Sequence, residues 1–135
     1  MSKEDFIRRY YVSDKQNCKD GIKFWHEHQD ETREGHVQGV DGPTIIKRIK
    51  EGRELSMRVG EAYQRSPALG KILDDVWEGV LDYIKEFDSL SYTQFTAEWL
   101  NFQRFEPTQG FHKYHYESQT ISAANRLLVF MVYMN

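Results

Sequence analysis

The chain has one cysteine, three prolines and no long apolar run, and each scarcity removes a class of protein. Cys18 alone cannot close an internal disulfide, so packing must hold the fold together. No stretch reaches the roughly eighteen apolar residues that span a bilayer, and the opening residues lack the apolar core of a secretory leader. The cytosol is the simplest compartment. Nor is there an excess of positive charge: a formal net charge of −3 and a pI near 5.9 leave no electrostatic footprint for nucleic acid. What remains is 135 residues with 39% hydrophobic and 29% charged content, which fits one soluble domain with a modest core.

Helical signals dominate the first two thirds. Residues 4–12, with Phe6, Ile7, Tyr10 and Tyr11, fit a short strand or a short helix equally well. From Asp14, Cys18, Ile22, Trp25 and Gln29 fall at helical spacing, and Gly21 weakens that helix by about 1 kcal/mol. His26 and His28 then point about 200° apart on a helix, so a solvated helix end suits them better than a shared metal. His36, among Gly35, Gly39, Gly42 and Pro43, belongs to a loop or hairpin. Residues 43–64 alternate charges, as a solvated face does. The clearest helix is Ser66 to Leu90: Ser66 suits an N-cap and Pro67 the first turn. Leu69, Ile72, Leu73, Val76, Trp77, Val80, Leu81, Ile84 and Phe87 follow as one apolar stripe, which places Trp77 in the core.

Strand patterns follow. Phe95–Phe105 alternates, with Trp99, Asn101, Gln103 and Phe105 on one face and Leu100, Phe102 and Arg104 on the other. If the first face opens on a cleft, Asn101 and Gln103 can touch a small ligand; otherwise they are edge positions. Pro107 and Gly110 mark a turn, with Gly110 free to take a positive φ. The aromatic run Phe111–Glu117 is a strand on which Lys113, His115 and Glu117 share one face and His112, Tyr114 and Tyr116 the other. Leu127–Met134 is apolar on both faces, as in a strand buried between layers. His115 and Glu117, about 7 Å apart at Cα, can bind one ion, and two histidines with one carboxylate form the open face used by non-haem Fe(II) oxygenases. A structural zinc site of His112, His115 and Glu117 is opposed by the alternation, which turns His112 away.

The segment Gln103-Arg104-Phe105-Glu106-Pro107-x-x-Gly110-Phe111-His112-x-x-His115-x-Glu117, followed by Asn125-Arg126-Leu127-Leu128-Val129-Phe130-Met131-Val132-Tyr133-Met134-Asn135, resembles the 2-oxoglutarate- and Fe(II)-dependent oxygenases. The likeness is to the prolyl-4-hydroxylase-like branch of phages and bacteria, and it covers about 35 residues. It implies an α+β fold in which N-terminal helices, residues 1–92, pack on the first strands of a double-stranded β-helix (jelly-roll or cupin-like), residues 93–135. It also implies His115 and Glu117 as iron ligands, Tyr133 lining the 2-oxoglutarate pocket, and Phe105 where many relatives place a second co-substrate tyrosine. The cofactors implied are Fe(II) and 2-oxoglutarate, with ascorbate as a candidate reductant, and the substrate a prolyl or other peptide or a small molecule. The family's distal histidine and its 2-oxoglutarate-clamping Arg or Lys have no counterpart after Asn135. The sequence thus reads as one incomplete oxygenase domain lacking the C-terminal half of the barrel, inactive alone and prone to self-association through open sheet edges. The alternative is a non-catalytic interaction module of the same fold.

Overall fold

The structure, a computed structural model, describes residues 5–115, 117–118 and 120–135. In chain order the elements are α1 (Lys15–Glu27), β1 (Arg33–Glu34), β2 (Val37–Gly39), β3 (Gly42–Thr44), β4 (Lys50–Glu51), β5 (Arg53–Arg58), α2 (Val59–Arg65), α3 (Pro67–Glu86), β6 (Trp99–Arg104) and β7 (Gly110–Phe111). Single 3-10 turns lie at Gln29–Glu31, Asp88–Leu90 and Ile121–Ala123. The class is α+β. The strands form a three-stranded sheet in the order β1-β5-β6 and two paired ribbons, β2-β3 and β4-β7, with no closed barrel among the described residues. None of the described helices is long and apolar enough to cross a membrane.

The chain groups into two compact units. The helical unit comprises Met1–Phe24, Arg58–Glu98 and Met134–Asn135. Its centre is the start of α3, where the Leu69 N–H donates to the Ser66 hydroxyl at 3.3 Å and Pro67 stands in the first turn, as the sequence predicts. Leu69, Ile72 and Leu73 are buried, and with Ala62 and Cys18 they make the core of this unit. Gly21 explains its place in α1 here: a Cβ on it would lie 3.3 Å from Met134 Sδ and 3.5 Å from Leu69 Cδ2, so the helix packs closely at that point. The N-terminal segment is neither strand nor helix from Asp5 to Val12. It lies along α3 instead, with Arg8 paired to Glu86, the Tyr83 hydroxyl donating to the Phe6 carbonyl at 2.8 Å, and the Tyr10 ring over Gly79.

The apolar stripe of α3 is only partly covered. Trp77 is 40% exposed and Leu81 43%, which corrects the placement of Trp77 in the core. The covered line runs through Ile72, Val76 and Gly79, and positions 77 and 81 fall at its edge on a helix of 3.6 residues per turn.

The sheet unit comprises Trp25–Met57 and Trp99–Tyr133. Leu55 and Met57 on β5, Trp25 and Ala123 are buried apolar residues of this unit, with Arg104 resting 5.4 Å over the Trp25 ring. β6 is shorter than the strand expected over 95–105, but its alternation holds, with Leu100 and Phe102 half-buried and Trp99, Asn101 and Gln103 exposed. The turn after it closes with Gln109 N–H on the Glu106 carbonyl at 2.9 Å. Thr108, not Gly110, takes the positive φ of 76°.

Two expected strands are corrected. Phe111–Glu117 pairs only at its start, where Glu51 faces Gly110 and Lys50 faces Phe111. The His112 N–H reaches the Ile49 carbonyl at 2.7 Å, but Ile49 and Lys50 already turn back on Ile46, so β4 ends there, and among the described residues no strand pairs with the run beyond Phe111. Tyr116, assigned to one face of that strand, lies outside the described residues. Leu127–Met134 forms no strand, and Leu127, Val129, Met131 and Tyr133 are exposed rather than sandwiched. Apolar composition on both faces makes a buried strand only where a second layer covers it, and the described residues bring no strand beside this one.

Candidate metal-binding pair

His115 and Glu117 meet although the strand meant to align them is absent. His115 Nε2 stands 3.3 Å from Glu117 Oε1. Two features hold the imidazole. Phe111, fixed in β7, stacks on it with ring centroids 3.9 Å apart and planes 15° from parallel. The other ring nitrogen, Nδ1, lies 3.2 Å from the Lys113 carbonyl. With the ring proton on Nδ1 the imidazole donates to this carbonyl and leaves the Nε2 lone pair beside the carboxylate; with it on Nε2 the roles reverse. In the first tautomer two acceptors stand side by side, an arrangement that a cation between them would relieve. The backbone-bonded second nitrogen is the orienting contact that metal-bound histidines commonly use.

The spacing suits an ion. Two donors held about 2.1 Å from one cation at a right angle stand about 3.0 Å apart, close to the 3.3 Å observed. Glu117 also faces Arg126, whose Nη1 lies 3.6 Å from Oε2. Among the described residues no group of three His, Cys, Asp or Glu side chains converges on one point.

The other sequence-derived site residues lie elsewhere. Phe105 follows the end of β6 and covers Gly52, where a Cβ would come within 2.6 Å of its ring. Gln103 is exposed on β6. Tyr133 is 79% exposed, its hydroxyl 3.9 Å from Met131 Sδ. Asn101, left open between ligand contact and edge, donates to Glu54 at 3.3 Å and accepts from the Ser56 hydroxyl at 3.1 Å. His112 is exposed, and its backbone N–H is taken by Ile49.

A second charged group did not stand out in the sequence. Glu54, 1% exposed, accepts from Lys50 Nζ at 2.7 Å, and Lys50 is itself buried. Its Oε1 has His36 Nδ1 at 2.6 Å and Arg33 Nε at 3.3 Å, yet neither N–H is aimed along a hydrogen bond. Burial raises the Glu54 pKa, but the Lys50 and Asn101 hydrogen bonds and the Lys50 and His36 charges outweigh it and hold the carboxyl below its ordinary value. Residues 43–64 are therefore not wholly a solvated face. The signal available was the i, i+4 spacing of Lys50 and Glu54, which the ordinary charge run masked. Lys50 also lines a shallow hollow of about 210 Å³ with Gly35, Lys47, Gly52, Arg53 and Gln109 among its other walls, and His115 and Glu117 do not line it. Lys50 and Arg33 already supply positive charge to this buried carboxylate.

No family model, curated protein or solved structure matches the chain.

Proposed function

We propose that the chain belongs to a 2-oxoglutarate- and Fe(II)-dependent dioxygenase, a hydroxylase of a peptide or small molecule, in which His115 and Glu117 are two of the iron ligands. The observation that carries this is the confrontation of His115 Nε2 with Glu117 Oε1 at 3.3 Å, with Nδ1 beside a backbone carbonyl. Bound Fe(II) would couple decarboxylation of 2-oxoglutarate to hydroxylation of the substrate. The chain's own part is narrower. Phe111 stacks on the imidazole and sets its plane, the Lys113 carbonyl lies beside Nδ1, and Glu117 supplies the negative charge that draws a cation. The finer fold expectation, strands of a double-stranded β-helix, belongs to this proposal, as do 2-oxoglutarate contacts by Tyr133, Phe105 and Gln103 and a cytoplasmic location.

Anaerobic Fe(II) titration of the purified chain tests it. Weak stoichiometric binding is expected, lost in His115→Ala and in Glu117→Ala and kept in His112→Ala. Equal loss in all three would return the register to question, and no binding by the parent chain would refute the proposal. The second reading, a non-catalytic interaction module that self-associates, is favoured by one observation, the exposed apolar run from Leu127 to Tyr133. Sedimentation that shows concentration-dependent self-association without Fe(II) binding would select it.

A further inference from the structure

The outward side of α3 carries a row of side chains that the chain itself leaves unused. Lys71, Asp74, Trp77, Leu81 and Lys85 are exposed, and Asp88 continues the row in the turn that follows. Trp77 and Leu81, about one turn apart, stand at its centre with 40% and 43% of their surface open. On either side of them the charges come in the same order, lysine then aspartate. Among the described residues Lys71, Lys85 and Asp88 enter no ion pair within the chain. Asp74 is held on this side by the Tyr63 hydroxyl, which donates to its Oδ1 at 2.8 Å and leaves Oδ2 for another donor.

We propose that this side of α3 docks on the same side of α3 in a second copy of the chain, with the two helices antiparallel about a two-fold axis level with Gly79 and Val80. A two-fold contact joins a patch to itself, so the patch must match its own reverse. The row Lys, Asp, Trp, Leu, Lys, Asp does so. Trp77 meets the partner's Leu81, Asp74 the partner's Lys85 and Lys71 the partner's Asp88, and each contact occurs twice. A parallel pair in register sets lysine on lysine and aspartate on aspartate, so the charges select the antiparallel one. The like charges that it does bring together, Glu78 and Asp82, are exposed at one rim, where salt screens them. From Lys71 to Asp88 the row is about 25 Å long. One helix pair of that length buries less than a standard interface, so the association is reversible, with a dissociation constant of about 10–100 μM. It uses neither the His115/Glu117 pair nor the exposed run from Leu127 to Tyr133.

Charge exchange tests the pairing in a way that a misfolded variant cannot imitate. Asp74→Lys sets two ammonium groups against each other at both Lys85 contacts, and Lys85→Glu does the same with carboxylates. Each variant alone should therefore associate about tenfold more weakly than the parent, since two exposed pairs become repulsive in every dimer. Mixed in equal amounts, the two variants regain both pairs across the axis, and sedimentation velocity should show a mixed dimer of parent-like affinity. The double variant Asp74→Lys/Lys85→Glu should regain it too. Leu81→Glu, at the centre, should abolish association, whereas Val129→Glu should leave it unchanged. Urea melts of each variant report its folding; if Asp74→Lys unfolds the chain, Lys71→Glu mixed with Asp88→Lys makes the same test at the outer pairs. A parent chain that stays monomeric well above the expected range overturns the proposal. So does a mixture no more associated than its components, or an association that Val129→Glu removes and Leu81→Glu does not, which would assign self-association to the Leu127–Tyr133 run.

Discussion

Replacing Glu54 by Gln is the sharpest test of how the sheet unit is held. The side chain is 1% exposed and accepts from Lys50 Nζ at 2.7 Å, and the Lys50 side chain is 8% exposed, so neither charge is hydrated. Removing the carboxylate leaves an ammonium in a low-dielectric site, which costs about 3–5 kcal/mol when a buried pair is broken. The glutamine carbonyl can still accept from Lys50, and Arg33, with a side chain 58% exposed, can turn to water, so the lower end applies. For an m-value of about 1.5–2 kcal/mol/M, a loss of about 3 kcal/mol moves the urea midpoint down by about 1.5–2 M. Lys50→Met combined with Glu54→Leu removes both charges and should recover most of that loss. A fall below about 0.5 kcal/mol in Glu54→Gln, or a double variant no better than the single, would show that the pair is solvated. The acid limb offers an independent check. Glu54 has a depressed pKa in the folded chain, so its stabilisation is present above the ordinary carboxylate value near 4.5 and is lost as pH falls through the lower folded value. In Glu54→Gln that part of the acid dependence should vanish.

Two further substitutions test local geometry. Thr108→Gly relieves a non-glycine residue at φ 76° and should raise stability by about 1 kcal/mol in urea melts; a loss would mean that the threonine side chain offsets its strain. Gly21→Ala gains helix propensity worth about 1 kcal/mol against a 3.3 Å approach to the flexible Met134 side chain, so a net gain is expected. A loss of more than about 1 kcal/mol would show that Met134 cannot give way.

The helices were legible because their signals are local. Ser66 and Pro67 fix the start of α3, and the spacing of Leu69, Ile72 and Leu73 fixes its buried face. The convergence of His115 and Glu117 was also legible, though for a partly different reason: a separation of two residues keeps them close whether or not a strand forms, and Phe111 and the Lys113 carbonyl do the aiming. What depends on a partner was not legible. The extent of β7 is set by where β4 runs out, and the exposure of Leu127 to Tyr133 by what lies beside it, neither of which is written in those residues. Glu54 was missed for the same reason, since the groups that make a carboxylate tolerable inside the fold come from His36, Lys50 and Asn101, up to 47 residues away.

The central claim is that one cation sits between His115 and Glu117. Paramagnetic broadening locates it directly: Mn(II), a redox-stable probe ion, added to the isotopically labelled chain should broaden the amide signals of Phe111, Lys113, His115 and Arg126 first, at ratios that leave His36, Lys50 and Glu54 sharp. Broadening centred on the Glu54 group, or spread evenly over the acidic surface, would contradict it.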